Sequence, residues 1–150
     1  MSFELNPAVR SATSGCVDEN GCDFEKVTLC AFDQAPDTST KVDFLVCMDE
    51  SGSSKTALKA AEPCASASSL DWSAVTSCFN GEKGTADLTA AAKVFNAALP
   101  GRTTIPHTFV NTKDVSPSYT DLKSALCDAG STASVCSSAV ENLPEKACMV

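Results

Sequence analysis

Cysteine content constrains this chain more than any other feature of its sequence. The 150 residues hold nine cysteines, far above the ordinary usage of an intracellular protein of this size, and they are spread along the chain: Cys16, Cys22, Cys30, Cys47, Cys64, Cys78, Cys127, Cys136 and Cys148. Disulfides form and persist in oxidising compartments, and spread cysteines are typical of a disulfide framework. The sequence therefore predicts a disulfide-braced protein in an oxidising compartment.

Length and charge limit the number of domains and the kinds of partner that the chain can have. A chain of 150 residues fits one domain with a core of its own. Its net charge of −8, without a basic cluster, argues against nucleic acid and anionic membranes as partners. No apolar run approaches the ~20 residues that cross a bilayer, so direct membrane insertion is not expected. The first twelve residues lack the apolar stretch of a signal peptide, from which we expect a removed leader or a start that lies upstream.

Hydrophobic spacing predicts a mainly helical middle of the chain. A helix is predicted from Asp23, because Phe24, Val27 and Ala31 fall on one face, and it ends before Pro36. The segment "TKVDFLVCMDE" fits a helix or a buried strand equally well. Further helices are predicted for "SKTALKAAEPC" up to Pro63, "WSAVTSCF" with Ser69 or Asp71 as N-cap and Asn80-Gly81 at its end, "TADLTAAAKVFNAAL", and "DLKSALCDAG" with Ser118 or Thr120 as N-cap.

Two short strands complete the predicted elements. The first is "FEL" at residues 3–5, which Asn6-Pro7 stops. The second is "HTFVN" at residues 107–111, which is β-branched and aromatic and begins directly after Pro106. The predicted order is a brief strand, a cysteine-bearing helical middle, a long helix, a proline-led strand and a last helix.

Neither metal sites nor catalytic constellations fit the spacing of the residues that could form them. Structural zinc sites take four Cys or His ligands, usually in pairs two to four residues apart, whereas Cys16 and Cys22 have five residues between them. An EF-hand loop counted from Asp18 would need glycine at its sixth position, where Asp23 stands. The single histidine, His107, lies beside a proline and is more typical of a structural residue than of a base. We therefore assign no metal, cofactor or catalytic residue.

The stretch "GCVDENGCDF" is interpreted as a turn closed by a disulfide. Asn20-Gly21 supplies a tight bend between Cys16 and Cys22. A redox-active pair would have the spacing Cys-x-x-Cys at a helix start, which does not occur in these 150 residues. Closing this turn would contribute roughly 2 to 3 kcal/mol in the chain-entropy model.

The ordered set of cysteine-bearing stretches resembles the gamma-interferon-inducible lysosomal thiol reductase (GILT) family. Eight of the nine cysteines fall where that family has one after its active site, and Cys148 has no counterpart. The matching stretches are "CVDENGCDFEKVTLC" (16–30), "FLVCMDE" (44–50), "AVTSCFNGEKG" (74–84), "IPHTFVN" (105–111) and "ALCDAGSTASVC" (125–136). The chain departs from the family signature, CQHG followed by EC, by carrying Val17-Asp18 and a shorter loop.

The resemblance implies an α+β fold, a thioredoxin-like α/β sandwich with a disulfide-stapled helical insertion. Residues 1–150 would form one domain, with the insertion at about 22–84, the thioredoxin-like C-terminal part at about 85–130 and a cysteine-containing tail at 131–150. The family is lysosomal or secreted and reduces protein disulfides. A lumenal or extracellular location and protein disulfides as substrates are therefore expected.

The resemblance also assigns site residues. Ile105-Pro106 matches the thioredoxin-like proline whose cis bond opens a sheet strand, and a cis X-Pro bond costs only about 0.5 to 1 kcal/mol. Thr104, Ile105 and Pro106 would then contact a substrate strand. Cys16 with Cys22 and Cys127 with Cys136 are the pairings expected from proximity. The other four cysteines of the family set, Cys30, Cys47, Cys64 and Cys78, allow three connectivities.

The family's catalytic Cys-x-x-Cys lies in a first strand-helix unit that precedes the region matched here, and the resemblance implies that this unit is missing from the chain. Without that strand, backbone groups of its neighbours would be orphaned at about 1 to 3 kcal/mol each. We therefore expect a strand from another chain, an upstream segment, or a rearrangement to complete the sheet beside residues 107–111.

Three functions remain open from the sequence. The first is a GILT-like thiol-disulfide oxidoreductase that reduces protein disulfides if an upstream Cys-x-x-Cys unit is present, since no residue of this chain would perform that step. The second is a non-catalytic, disulfide-stapled structural or binding subunit of a larger assembly. The third is an unrelated small secreted helical protein braced by disulfides.

Overall fold

The computed structural model describes residues 5–9, 22–51, 56–100 and 108–137. The chain divides into two compact units, Ser2–Thr103 and Thr104–Val150, which we call the helical unit and the C-terminal unit. The described residues are mostly helical, with one two-stranded sheet. None of the described helices is both long and apolar enough to cross a membrane.

Five helices, α1 to α5, are the described secondary-structure elements of the helical unit. Their bounds are α1 Asp23–Gln34, α2 Thr38–Glu50, α3 Ala57–Ala67, α4 Trp72–Asn80 and α5 Glu82–Ala98. Helix α1 is central, because it packs against each of the other four. The main core draws its buried side chains from α1, α2, α3, α4 and the α3–α4 connection, and includes Val27, Cys30, Ala31, Phe32, Phe44, Ala61, Cys64, Leu70, Val75 and Cys78.

Helix α5 contributes to a second, smaller core cluster. Leu88 and Ala92, one turn apart on α5, are buried together with Val9 and Cys22. Cys22 precedes α1 and has a left-handed backbone conformation, with φ of 71°. The start of α1 is therefore held between an N-terminal segment and the long helix that the hydrophobic spacing predicts.

Local capping signals explain where two of the helices begin. The side chain of Asp71 accepts hydrogen bonds from the backbone N–H groups of Ser73 and Ala74, which confirms one of the two predicted N-caps of α4. Asp37 caps α2 in the same way by accepting from the backbone N–H and the hydroxyl of Thr40. These hydrogen bonds lower the pKa of Asp37, because they favour its charged form.

Helix α3 corrects the prediction that its segment is helical only up to Pro63, since the helix continues through Pro63 to Ala67. Proline has no N–H to donate to the carbonyl of Lys59 one turn earlier. The helix persists because Ala61, Cys64 and Ala65 bury one face in the core on both sides of this break. Tertiary packing therefore outweighs the missing hydrogen bond.

Two further segments are clarified by the structure. Residues 40–50, whose pattern fits a helix or a strand, are helical as part of α2. Leu5, the last residue of the strand predicted at 3–5, is not in a strand, and residues 3 and 4 lie outside the described part. Helix α5 begins at Glu82, three residues before the predicted segment, because Gly81 both ends α4 and precedes α5.

The described C-terminal unit is a β-hairpin followed by helices. Strands β1 (Thr108–Val110) and β2 (Lys113–Val115) pair in antiparallel register, and both pack against α6 (Tyr119–Asp128), which a short α7 (Ser134–Ser137) follows. Asn111 takes the positive φ of 57° that a two-residue hairpin loop favours. The predicted strand after Pro106 is confirmed within 108–110, and Ser118 is the N-cap of α6.

The coarse fold prediction is thus confirmed as disulfide-braced helices followed by a small sheet. The thioredoxin-like sandwich itself, and the division of one domain into an insertion, a C-terminal part and a tail, stay predictions. Helix α5, which the sequence assigns to the C-terminal part, lies in the helical unit, where it packs against α1 and α4.

Candidate functional site

The predicted substrate-contact residues, Thr104, Ile105 and Pro106, lie outside the described residues, as does His107. Strand β1 begins at Thr108, two residues after Pro106. The strand predicted after Pro106 is therefore present, whereas the cis bond and the substrate contact stay predictions.

Three disulfides lie wholly within the described residues. Cys30 is bonded to Cys78, Cys47 to Cys64, and Cys127 to Cys136, the last being one of the two pairings expected from proximity. Cys22 is also disulfide-bonded. The expected pairing of Cys22 with Cys16 stays a prediction, because Cys16 lies outside the described residues.

Two of these disulfides join helices of the helical unit. Cys30–Cys78 connects α1 to α4 across 48 residues of sequence, with a Cα–Cα distance of 5.7 Å. Cys47–Cys64 connects α2 to α3 across 17 residues, with a Cα–Cα distance of 5.5 Å. Cys30 and Cys64 are fully buried in the main core. Each disulfide therefore joins two helices that also pack against each other.

Glycine at position 84 lets α5 approach the Cys30–Cys78 disulfide. A Cβ atom at Gly84 would lie 2.7 Å from the carbonyl oxygen of Cys78, 2.7 Å from Cε of Lys26 and 3.3 Å from Sγ of Cys30. Real Cβ atoms do not approach a backbone oxygen so closely. The contact among α1, α4 and α5 at this disulfide therefore depends on the absence of a side chain.

A charged group lies beside the same disulfide, one turn further along α5. Oδ2 of Asp87 is 3.8 Å from Sγ of Cys78. The ammonium of Lys83 is 2.9 Å from the same Oδ2 and also forms an ion pair with Asp33 at the end of α1. The hydrogen bonds to Asp33 and then to Asp87 raise the pKa of Lys83 above its ordinary value.

These surroundings are those of a structural disulfide. Reactive cysteines lie in partly exposed, electropositive positions where a thiolate is stabilised. Cys30 is fully buried, Cys78 is 7% exposed, and the carboxylate of Asp87 lies 3.8 Å from Sγ of Cys78. The arrangement therefore favours the bonded sulfurs over a free thiolate in the absence of a cation.

The group formed by Cys30, Cys78 and Asp87 is not apparent from the sequence. Their ligand atoms lie within 4.8 Å of one another, although the three residues belong to different helices. The only readable signal was the spacing of Lys83 and Asp87, which places opposite charges on one face of α5. The contact with the two sulfurs depends on helix packing, which spacing does not encode.

Comparison with known proteins bears on the helical unit. Residues 9–68 match the family model described as gamma interferon inducible lysosomal thiol reductase (GILT). The resemblance to the GILT family is confirmed over residues 9–68, and its extension to the later stretches stays a prediction. The matched segment contains α1, α2 and α3 and both ends of the Cys47–Cys64 disulfide. No curated protein and no solved structure matches the chain.

The GILT match and the disulfides agree on the redox environment. Three disulfides within the described residues fit an oxidising compartment, where such bonds persist. The match also shows that residues 9–68 are similar to a family of thiol reductases.

Proposed function

We propose that these residues form the disulfide-braced, substrate-side part of a GILT-like thiol reductase that reduces protein disulfides in a lysosomal, lumenal or extracellular space. The reactive dithiol would come from a Cys-x-x-Cys unit outside these 150 residues. A thiolate of that unit would attack the target disulfide, and its second cysteine would resolve the mixed disulfide. The match of residues 9–68 to the GILT model carries this proposal.

The order of elements in the C-terminal unit supports the substrate-side role. A proline is followed by a two-stranded hairpin and a helix that packs on both strands. A thioredoxin-like fold has this order after its substrate-contact proline. Thr104, Ile105 and Pro106 would then present backbone groups to a bound polypeptide in the manner of strand addition.

Reduction of insulin disulfides tests this proposal in two forms of the protein. One form is the 150 residues, and the other adds whatever segment the natural transcript encodes before Met1. We expect turnover only in the longer form, and expect it to be lost when either cysteine of the added Cys-x-x-Cys is replaced by serine. Turnover by the shorter form, or a transcript without such a unit, would contradict the proposal.

A matched pair of proline variants tests the substrate contact. In the active form, Pro106→Ala should lower kcat/KM for insulin, because this proline would shape the strand to which substrate binds. Pro117→Ala, at an exposed proline of the same unit, should leave kcat/KM unchanged. Equal effects of the two substitutions would remove Pro106 from the substrate site.

We also propose that a strand from outside these residues pairs along β1. The described sheet holds only β1 and β2, so it ends at β1 on one side. A photo-crosslinking amino acid in place of Phe109, a residue that is 42% exposed, should capture a segment that precedes Met1 or belongs to another chain. Tyr119 on α6, 60% exposed, is the control position. Crosslinks confined to residues 1–150 would refute the added strand.

A non-catalytic structural or binding subunit is the second candidate function. It is favoured by the burial of Cys30 and Cys64 and by the carboxylate beside Cys78. These surroundings are typical of structural disulfides rather than of reactive ones. This candidate predicts that neither form of the protein reduces insulin, while the crosslink from position 109 still reaches another chain.

A further inference from the structure

Three helices converge on one potential set of metal ligands. Sγ of Cys30 on α1, Sγ of Cys78 on α4 and a carboxylate oxygen of Asp87 on α5 lie within 4.8 Å of one another. Among the described residues, no other group of three His, Cys, Asp or Glu side chains meets this condition. The Cys47–Cys64 disulfide thus has no comparable third ligand in the described part of the chain.

We propose that reduction of the Cys30–Cys78 disulfide creates a binding site for a zinc-type divalent cation, held by Cys30, Cys78 and Asp87. A dithiol reductant would supply two electrons and two protons, so that the S–S bond breaks, two thiols form and the reductant closes to its own disulfide. The cation then displaces both thiol protons to solvent. Two sulfurs and one carboxylate oxygen leave the fourth tetrahedral position to water.

The geometry requires little movement of the helices. Two sulfurs bound to one zinc at about 2.3 Å in a tetrahedral arrangement are roughly 3.8 Å apart. The Cα atoms of Cys30 and Cys78 are already 5.7 Å apart, so rotation of the two side chains can open the bonded sulfurs to that separation. Gly84 keeps α5, and with it Asp87, close to both sulfurs.

Charge and access also fit the cation. Two thiolates and one carboxylate around a divalent cation carry a net charge of −1, which the ammonium of Lys83 beside Asp87 offsets. Such compensation matters because Cys30 is fully buried, and an unpaired buried charge is costly. The side chain of Asp87 retains 25% exposure, which leaves a path for the cation and for a water ligand.

Cobalt titration of the reduced full chain tests the site. A water-soluble phosphine is the reductant, since it becomes a phosphine oxide, with water supplying the oxygen and the two thiol protons. Thiolate-to-cobalt charge-transfer absorption reports sulfur ligation, and competition with zinc gives the affinity. We expect one high-affinity cation per chain after reduction and none at this site before it.

The Asp87→Asn variant distinguishes cobalt bound at the folded three-ligand site from cobalt bound by reduced cysteines alone. Loss of a carboxylate ligand should weaken cobalt binding at least as much as the 10- to 100-fold that loss of a supporting group typically costs. Asp43→Asn is the matched control, because Asp43 lies one turn before Cys47 on α2 and belongs to no such ligand group in the described residues. The Asp43→Asn variant should bind cobalt with the affinity of the unchanged chain.

Two cysteine variants complete the test. Cys30→Ala/Cys78→Ala should abolish the charge-transfer band, whereas Cys47→Ala/Cys64→Ala should retain it. The proposal is overturned if Asp87→Asn binds cobalt as tightly as the unchanged chain. It is equally overturned if the first double variant keeps the band, or if circular dichroism shows that the metal-bound reduced chain has lost its helices.

Discussion

Replacing Cys30 and Cys78 by alanine should destabilise the helical unit more than replacing Cys47 and Cys64. A disulfide stabilises a fold largely by restricting the unfolded chain, and the effect grows with the logarithm of the closed loop. The Cys30–Cys78 bond spans 48 residues, for which the chain-entropy relation gives about 4 kcal/mol. The Cys47–Cys64 bond spans 17 residues, which gives about 3 kcal/mol.

Urea unfolding followed by the fluorescence of Trp72 measures this difference. Trp72 is the single tryptophan of the chain, and it is partly buried at the start of α4, where it packs against the main core. Each double variant should also show a steeper dependence of unfolding free energy on urea. The reason is that the unfolded chain expands and exposes more surface when a cross-link is absent.

Phosphine reduction provides the control for this comparison. After reduction, the unchanged chain and both variants lack the two cross-links. Their free energies of unfolding should then differ only because a cysteine side chain and an alanine side chain pack differently in the core. The loop-length reasoning is refuted if the Cys47→Ala/Cys64→Ala variant loses as much stability as the other before reduction. It is also refuted if the difference between the variants survives reduction unchanged.

The remaining predictions concern single side chains of the helical unit. Gly84→Ala should lower the free energy of unfolding in urea by about 1 kcal/mol, because the clash with the carbonyl of Cys78 costs about 2 kcal/mol, the middle of the usual range for overpacking, and a gain of about 1 kcal/mol in helix propensity offsets half of it; unchanged stability would contradict the close approach. Asp71→Ala should cost about 1 kcal/mol in the same assay through loss of the α4 cap, whereas Asp71→Asn should cost little. Lys83→Met should destabilise the fold at neutral pH, and its effect should fade at alkaline pH. Because the folded pKa of Lys83 is raised, the ion pair contributes fully below the ordinary lysine pKa and is lost as pH rises through the folded value; a loss that stays constant to high pH would contradict this assignment.

Local sequence signals predict the elements whose boundaries depend on their own residues. Helix α4 begins after the capping carboxylate of Asp71 and ends before Gly81, as its sequence indicates. The hairpin strand after Pro106 and the Ser118 cap of α6 follow from equally local features. Each is decided by hydrogen bonds or dihedral preferences within a few residues, so a single sequence suffices to find it.

Elements that depend on packing between helices are predicted less well. Pro63 normally ends a helix, yet α3 continues past it because its buried face and the bond from Cys64 to Cys47 hold the following turn. The hydrophobic pattern of residues 40–50 does not distinguish a helix from a strand, because only Phe44 of that segment is buried and the pattern carries little information. Tertiary contacts decide both cases.

The connectivity of the four central cysteines shows why the candidate metal site escapes sequence analysis. Pairing Cys30 with Cys78 rather than with the cysteines nearer in sequence requires α1 and α4 to be adjacent. The sequence alone does not show which helices are adjacent. Asp87 joins them only because Gly84 lets α5 approach the same point. Zinc motifs are recognised when closely spaced ligands come in pairs, whereas here each ligand lies on a separate helix. The disulfide that braces the fold is therefore also the element that prevents metal binding, so only its reduction can reveal whether the third ligand is functional.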